Sequence, residues 1–329
     1  MLLSDGIISI QKWVPTMQLS DRIGRRMKLQ DLHVLMTVLQ AGSMGKAAQL
    51  LNTTQPNVSR SIAELEHAFG VRLLDRHRQG VEPTAYGRAL LDCGVAVFDD
   101  LRQGVKNIEF LADPTAGEVR IGSIPPLAAT FVSAVADRVS RRYPRMMVHI
   151  MSTQTEALYP QLNERNVDVL VTQRVGPLAG EQLAFEKLYD DSYAVVAGAE
   201  NPWARRRKIE LAELVNELWA LPPPTSALGA VFVEAFRASG LDYPRTAVFS
   251  IPADVRISLL ATGRFLSIFS TSRLKFPAAS PPFKVLPVEL PLPPIPIGIL
   301  TLKGRTLSPV TQLFIEQARE VAKPLARKW

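Results

Sequence analysis

The sequence contains one cysteine, Cys93, in 329 residues. An internal disulfide framework is therefore excluded, and the composition suits a reducing compartment. Histidine is scarce too, at His33, His67, His77 and His149, and none is spaced with other donors as a metal site requires. No apolar run approaches the length needed to span a bilayer. The opening residues MLLSDGIISI lack a basic leader and are broken by Ser4, Asp5 and Gly6, so they make a poor export signal. A Gly-x-Ser-x-Gly elbow, a phosphate-binding glycine loop and paired metal ligands are all missing. These absences argue against an enzyme, a membrane protein and a secreted scaffold. They lead us to expect a cytoplasmic chain with no metal and no cofactor.

What is present suffices for two or three domains, since 329 residues at 47% hydrophobic composition can fill sizeable cores. A formal net charge of +7 suits attraction to a polyanion, as it also suits many proteins that bind none. The most informative stretch is Thr54 to Phe69, TQPNVSRSIAELEHAF. Thr54 can cap a helix there, Pro56 falls in the first turn where a missing N–H is tolerated, and Gly70 ends the run. Val58, Ile62, Leu65 and Phe69 recur at helical spacing and form a buried face. The amino end is left with Gln55, Asn57, Ser59, Arg60 and Ser61, short polar or basic groups able to reach base edges or phosphates.

The residues before it complete a pattern. Leu32, Leu35, Met36 and Leu39 share one helical face, Ala41-Gly42-Ser43 stops that helix and caps the next, and Ala47 and Ala48 allow close helix approach. Two short helices with a tight turn at Asn52-Thr53 predict a helix-turn-helix, or failing that a plain helical hairpin. Residues 72–76 and 81–83 then predict two short strands around a basic turn, a wing in which Arg76 and Arg78 are candidate phosphate contacts or solvated surface groups. Residues 1–26 show no clear period and carry Arg22, Arg25 and Arg26, which fits an extension or a basic arm, with Met17 and Met27 as further possible starts.

Thr84 can cap a long helix to about Ala112. Leu90, Val97, Leu101, Val105, Ile108 and Leu111 make one stripe on it, a pattern suited to packing on its twin. Cys93 falls on this helix with no second cysteine to resolve an oxidised sulfur, so a passive thiol competes with a redox sensor and is the simpler reading. After the break at Asp113 to Gly117, strand and helix signals alternate: 119–122, 127–143, 146–151, 155–163 and 167–172, then a second set from Tyr193 to Leu266, and a last strand and helix at 297–302 and 308–322. Such alternation predicts a parallel α/β sheet.

These residues together resemble the LysR family of bacterial transcriptional regulators over about Met27 to Lys323. The resemblance rests on Ser43, Ala47, Ala48, Leu51, Thr54, Gln55, Pro56, Val58, Ser59, Ile62, Leu65, Glu66, Gly70, Leu73 and Arg76, followed by Pro83-Thr84-Ala85-Tyr86-Gly87. Further on, Gly117-Glu118-Val119-Arg120-Ile121-Gly122 and Lys303-Gly304-Arg305-Thr306-Leu307-Ser308-Pro309 continue it. Two positions depart from the family: Leu74 stands where phenylalanine is usual, and Phe269-Ser270 where leucine-proline is usual.

The resemblance implies a mixed fold: an all-α winged helix-turn-helix with a long linker helix, then an α/β two-lobed effector domain like periplasmic binding proteins. The expected parts are an extension at 1–26, the DNA-binding domain at 27–87, the dimerisation helix at 84–113 and the effector domain at 117–329. Lobe I is expected at 117–188 and 293–329, with lobe II at 189–292 and the crossings near Leu188 and residues 286–293. Implied partners are double-stranded promoter DNA with dyad symmetry, a small-molecule effector, RNA polymerase and further copies of the chain as dimer or tetramer. No membrane partner is implied.

On the matched positions, Gln55, Asn57 and Ser59 read bases or anchor the helix, while Arg60, Arg76 and Arg78 meet phosphate. For the effector, Ser123, Thr153, Thr155, Gln173, Thr225 and Ser226 fall on loops at strand ends or helix starts, where an anion is favoured and where a simple helix cap is an equal reading. Two other functions compete with an effector-switched regulator. One is a regulator whose cleft is filled by its own side chains, and the other is a stand-alone solute-binding protein, which would need an export signal and no helix-turn-helix.

Overall fold

A computed structural model describes residues 27–77, 80–174, 182–276 and 283–326. The expected extension at 1–26 and Arg78 lie outside the described residues. The chain forms two compact units, one ending at Leu101 and the other beginning at Arg102.

In the first unit, α1 (Leu29–Ala41), α2 (Met44–Leu50) and α3 (Gln55–Phe69) are followed by β1 (Leu74–His77), β2 (Gly80–Pro83) and the start of α4 (Ala85–Ala112). Leu35, Val38, Ala47, Val58, Ile62, Leu65 and Leu73 close one core between the three helices and the wing. Each fully buried large aliphatic in it contributes roughly 1.5–3 kcal/mol. Gly70 takes the left-handed conformation that ends α3, at φ 69°. Ser43 caps α2 through the Lys46 N–H at 3.2 Å. Thr54 occupies the capping position of α3, yet its side chain makes no capping bond. Its neighbour Thr53 instead accepts a hydrogen bond from Asn57 Nδ2 at 3.2 Å.

The wing is tied to this core from both sides. Glu66, late on α3, accepts the N–H groups of Leu73 at 2.8 Å and Leu74 at 3.3 Å. The Thr84 hydroxyl donates to the Arg72 carbonyl at 2.8 Å and accepts the Gly87 N–H at 3.1 Å, capping α4. A Cβ on Gly87 would stand 2.0 Å from the Leu73 carbonyl oxygen, so only glycine lets the helix start this close to the wing. Leu74 is buried, and the smaller side chain at this position is accommodated in the core.

The boundary between the two units falls inside the long helix. Gly94 packs on Met36 and Leu32 in the first unit, whereas Phe110 packs on the core of the second. Leu101, Val105, Ile108 and Leu111 form an exposed row.

Among the described residues, the second unit holds two five-stranded sheets. The first contains β3 (Ala116–Ser123), β4 (Arg145–Ser152), β5 (Val169–Gln173), β6 (Leu183–Asp191) and β12 (Ile295–Leu302), in the order β4-β3-β5-β12-β6. The second contains β7 (Tyr193–Gly198), β8 (Trp219–Leu221), β9 (Thr246–Phe249), β10 (Leu266–Ser270) and β11 (Phe283–Val285), in the order β11-β7-β10-β8-β9. Helices α5 (Ser133–Arg142), α6 (Thr155–Asn163) and α10 (Pro309–Ala326) belong to the first lobe, and α7 (Leu211–Leu214), α8 (Ala227–Ala238) and α9 (Ala253–Ala261) to the second. Each lobe has its own core, one around Ile121, Phe131, Val169 and Phe314, the other around Trp219, Phe232, Phe236 and Leu266.

Several expectations are corrected. The sheets are mixed rather than parallel, because β12 returns antiparallel to β5 and β6, and β7 runs antiparallel to β10. The helix expected from Leu127 begins instead as a turn at Pro125–Leu127 and a π-helical segment at Ala128–Val132. Two prolines without N–H groups and the hydroxyls of Thr130 and Ser133, bonded to the carbonyls of Pro126 and Ala128 at 2.7 Å each, loosen the winding there. The first crossing falls at Ser192 rather than near Leu188, since β6 stays in register with β12 as far as Asp191 opposite Ile295. On the return, Val288, Leu290 and Leu292 still pack on the second lobe's core before β12 begins.

Candidate nucleic-acid interface and ligand cleft

The amino end of α3 presents Gln55, Asn57 and Arg60 as exposed side chains, with Ser59 half-buried beside Val58. Among the described residues no side-chain hydrogen bond or ion pair engages Gln55, Arg60 or Arg76, which leaves these groups available to a partner. Asn57 is held by Thr53, a contact that fixes its rotamer and leaves its amide oxygen open. Gly45 in α2 leaves room for Gln55, whose Oε1 would lie 3.7 Å from a Cβ there. Arg76 is exposed on β1, opposite Val81 of β2. Lys46, exposed beside the Ser43 cap, adds a cation that the sequence pattern does not single out.

In the first lobe, Ser123 lies opposite Ser152 and Val171 at the carboxyl ends of adjacent strands. It is 0% exposed and its hydroxyl donates to the Val171 carbonyl at 2.8 Å, so it staples β3 to β5 and does not present itself to a ligand as expected. Thr153 and Thr155 are half-buried where β4 meets α6, with no side-chain hydrogen bond among the described residues. Gln173 ends β5, and its Oε1 accepts from Tyr193 Oη at 3.3 Å across the crossing. In the second lobe Ser226 acts as the cap of α8, accepting the Gly229 N–H at 3.1 Å and donating to the Pro223 carbonyl at 2.7 Å. Thr225 beside it is exposed.

The crossing itself carries groups that sequence reasoning missed. Asp191 is buried and accepts from the N–H groups of Ser192 and Ser272 at 2.9 Å each, Ser272 Oγ at 2.6 Å and Thr271 Oγ1 at 3.2 Å. Four neutral donors thus hold the carboxylate that joins β6 to the end of β10. Nearby, Arg256 on α9 is buried, with Nη1 donating to the Ile268 carbonyl at 3.0 Å and Ser267 Oγ at 3.4 Å. Its guanidinium stands 4.5 Å from the Phe269 ring centre, with that of Arg273 at 5.7 Å. Burial pulls the Arg256 pKa down to about 10, with the Tyr193 hydroxyl opposing that shift and the Arg273 charge adding to it. Burial likewise lowers Arg273 and raises Tyr193, and it lifts Tyr243 to about 12. The sequence signal nearest to this cluster is the departure at Phe269-Ser270.

A winged helix-turn-helix followed by a two-lobed α/β domain defines a ligand-responsive DNA-binding regulator. Residues 29–88 match the model of the bacterial regulatory helix-turn-helix proteins of the lysR family, and residues 112–323 match the LysR substrate binding domain. The chain belongs to the LysR family and is a DNA-binding transcriptional regulator with an effector-binding domain. It is similar to the transcriptional regulator GbpR of Azospirillum brasilense, with 23% identity over 304 residues, 92% of this chain and 89% of that protein. Among solved structures, a cysteine variant of full-length OxyR from Pseudomonas aeruginosa superposes with a TM-score of 0.63 at 20% identity, covering 92% of this chain and 99% of that one. CbnR in complex with its target DNA superposes with a TM-score of 0.53 at 20% identity, covering 90% and 100%. No helix among the described residues is long and apolar enough to cross a membrane.

Proposed function

We propose that the amino end of α3 enters a major groove, where Gln55, Asn57 and Ser59 contact base edges or fix the helix while Arg60, Arg76 and Arg78 contact phosphates. The observation that carries this assignment is the cluster of exposed polar and basic side chains at the start of α3, backed by a buried face of Val58, Ile62 and Leu65. The exposed apolar row on α4 pairs with its twin, giving a dimer or tetramer that reads a dyad-symmetric promoter. CbnR has been solved on its target DNA, which supports the same mode of docking here. A small molecule held between the lobes, near Thr153, Thr155, Gln173 and Thr225, alters the bend of the DNA and contact with RNA polymerase. The protein acts by binding rather than by turnover, in the cytoplasm. Footprinting of the full-length protein on its own upstream DNA, at fixed salt and with or without a metabolite pool, tests this reading. Protection of a dyad site that shortens or shifts with the pool is expected. Protection that ignores the pool would remove the effector, and the absence of sequence-preferring protection would remove the base-reading assignment.

A further inference from the structure

Helix α9 inverts the usual order of burial. Val255 is 45% exposed, while Arg256 beside it is 3% exposed. A buried guanidinium is costly unless it is paired, and Arg305 of the first lobe has its pair in the Asp168 carboxylate at 3.3 Å. Arg256 has none among the described residues. Its Nε is buried without a hydrogen-bond partner, and its two bonds are both made by Nη1 to neutral oxygens. Arg273, 9% exposed, also has a buried Nε without a partner, and no ion pair holds it among the described residues. Asp254 attracts it only at longer range. Two cations thus converge on the Phe269 ring, which is itself stacked on Phe283 at 5.4 Å.

The place is as informative as the charge. Phe269, the ring that Arg256 faces, stands opposite Ala194 on β7, next to Tyr193, whose hydroxyl reaches Gln173 of the other lobe. Arg273 follows Ser272, which is bonded to Asp191 at the crossing. Both cations therefore lie where the two lobes meet, at the end of β10. The departure from leucine-proline to Phe269-Ser270 supplies the aromatic face on which they rest, which an aliphatic side chain could not provide.

We propose that Arg256 and Arg273 form a receptor for the anionic group of the effector, a carboxylate or a phosphate, whose oxygens supply the acceptors these guanidiniums lack. This rests on the reading that the region between the lobes is the effector site, and it fixes the chemical class of that effector.

The test is thermal unfolding of the full-length protein in sodium phosphate, succinate and chloride at matched ionic strength. Phosphate and succinate separate the two sources of the anion. One of them is expected to raise Tm by a constant step per tenfold rise in concentration above its Kd, where chloride does not. Arg273→Gln removes no hydrogen bond among the described residues, so it should fold, melt at or above the wild-type temperature without anion, and lose at least tenfold in anion affinity. Arg256→Gln should lose affinity as well, and circular dichroism would report whether loss of the tie to Ile268 has altered the lobe. If phosphate and succinate act no differently from chloride, or if Arg273→Gln keeps the full shift, the anion receptor is overturned. Footprinting in parallel separates this from the effector reading. Anion binding that leaves the footprint unchanged would sustain the receptor and remove its regulatory role, whereas a footprint moved only by a neutral metabolite would do the reverse.

Discussion

Arg305 Nη2 lies 3.3 Å from Asp168 Oδ1, joining two buried side chains that are 137 positions apart in sequence. The same carboxylate accepts from Arg120 N at 2.8 Å and Arg120 Nη2 at 3.1 Å, and Arg305 Nη1 reaches the Val167 carbonyl at 2.8 Å. The Lys303-Gly304-Arg305 motif thereby fastens the loop after β12 to the start of β5. Arg305→Met should destabilise the protein by about 1–3 kcal/mol, because it takes one donor from the Asp168 carboxylate and one from the Val167 carbonyl while Arg120 stays on the carboxylate. Adding Asp168→Leu to it should cost less than the sum of the two single changes. Urea unfolding of all three variants checks this, and strict additivity would show that the pair does not couple.

Glu66 should matter to the wing rather than to DNA directly. Glu66→Ala leaves the Leu73 and Leu74 N–H groups without their acceptor and should destabilise the first unit by about 1–3 kcal/mol. Glu66→Gln keeps an acceptor oxygen and should lose less. The comparison is made by denaturant titration, and equal losses from both changes would argue for a role of the charge itself.

Two glycines of α4 should respond in opposite directions. Gly87→Ala places a methyl 2.0 Å from the Leu73 carbonyl and should cost several kcal/mol, on the order of an overpacked core. Gly104 has open space where a Cβ would stand, with nothing within 4 Å, so Gly104→Ala should stabilise the helix by about 0.5–1 kcal/mol. Melting temperatures of the two variants against wild type decide the matter.

The α4 row predicts the oligomer. Ile108 and Leu111 are 69% and 81% exposed within one chain, so Ile108→Glu with Leu111→Glu should shift sedimentation toward the monomer while leaving helical content unchanged. An unchanged oligomer would assign the contact to another surface.

On DNA, Asn57→Ala should relax preference at one base pair by roughly 1–3 kcal/mol. Arg76→Ala should instead weaken binding to every sequence and reduce the slope of log K against log salt by about 0.9. Filter binding over a salt series separates the two effects.

The sequence by itself determined the parts whose signals are local. The period of Leu32, Leu35, Met36 and Leu39, the cap at Ser43, the left-handed stops at Gly42 and Gly70 and the polar start of α3 all act within a few residues, so the helix-turn-helix is legible in the chain alone. The alternation of elements in the second unit is legible for the same reason. Tertiary structure decided what depends on distant partners. β8 is three residues long and becomes a strand only by pairing with β9 and β10, and α9 reads Asp-Val-Arg-Ile-Ser-Leu, a strand-like alternation that folds as a helix. Ser123 looks in sequence like any loop hydroxyl, and its bond to the Val171 carbonyl, 48 positions away, is what engages it internally. The converse holds for Arg256 and Arg273: a pattern assigns arginine to the surface, and only the packing of α9, β10 and Phe269 against one another removes these cations from water and leaves them without an ion pair among the described residues.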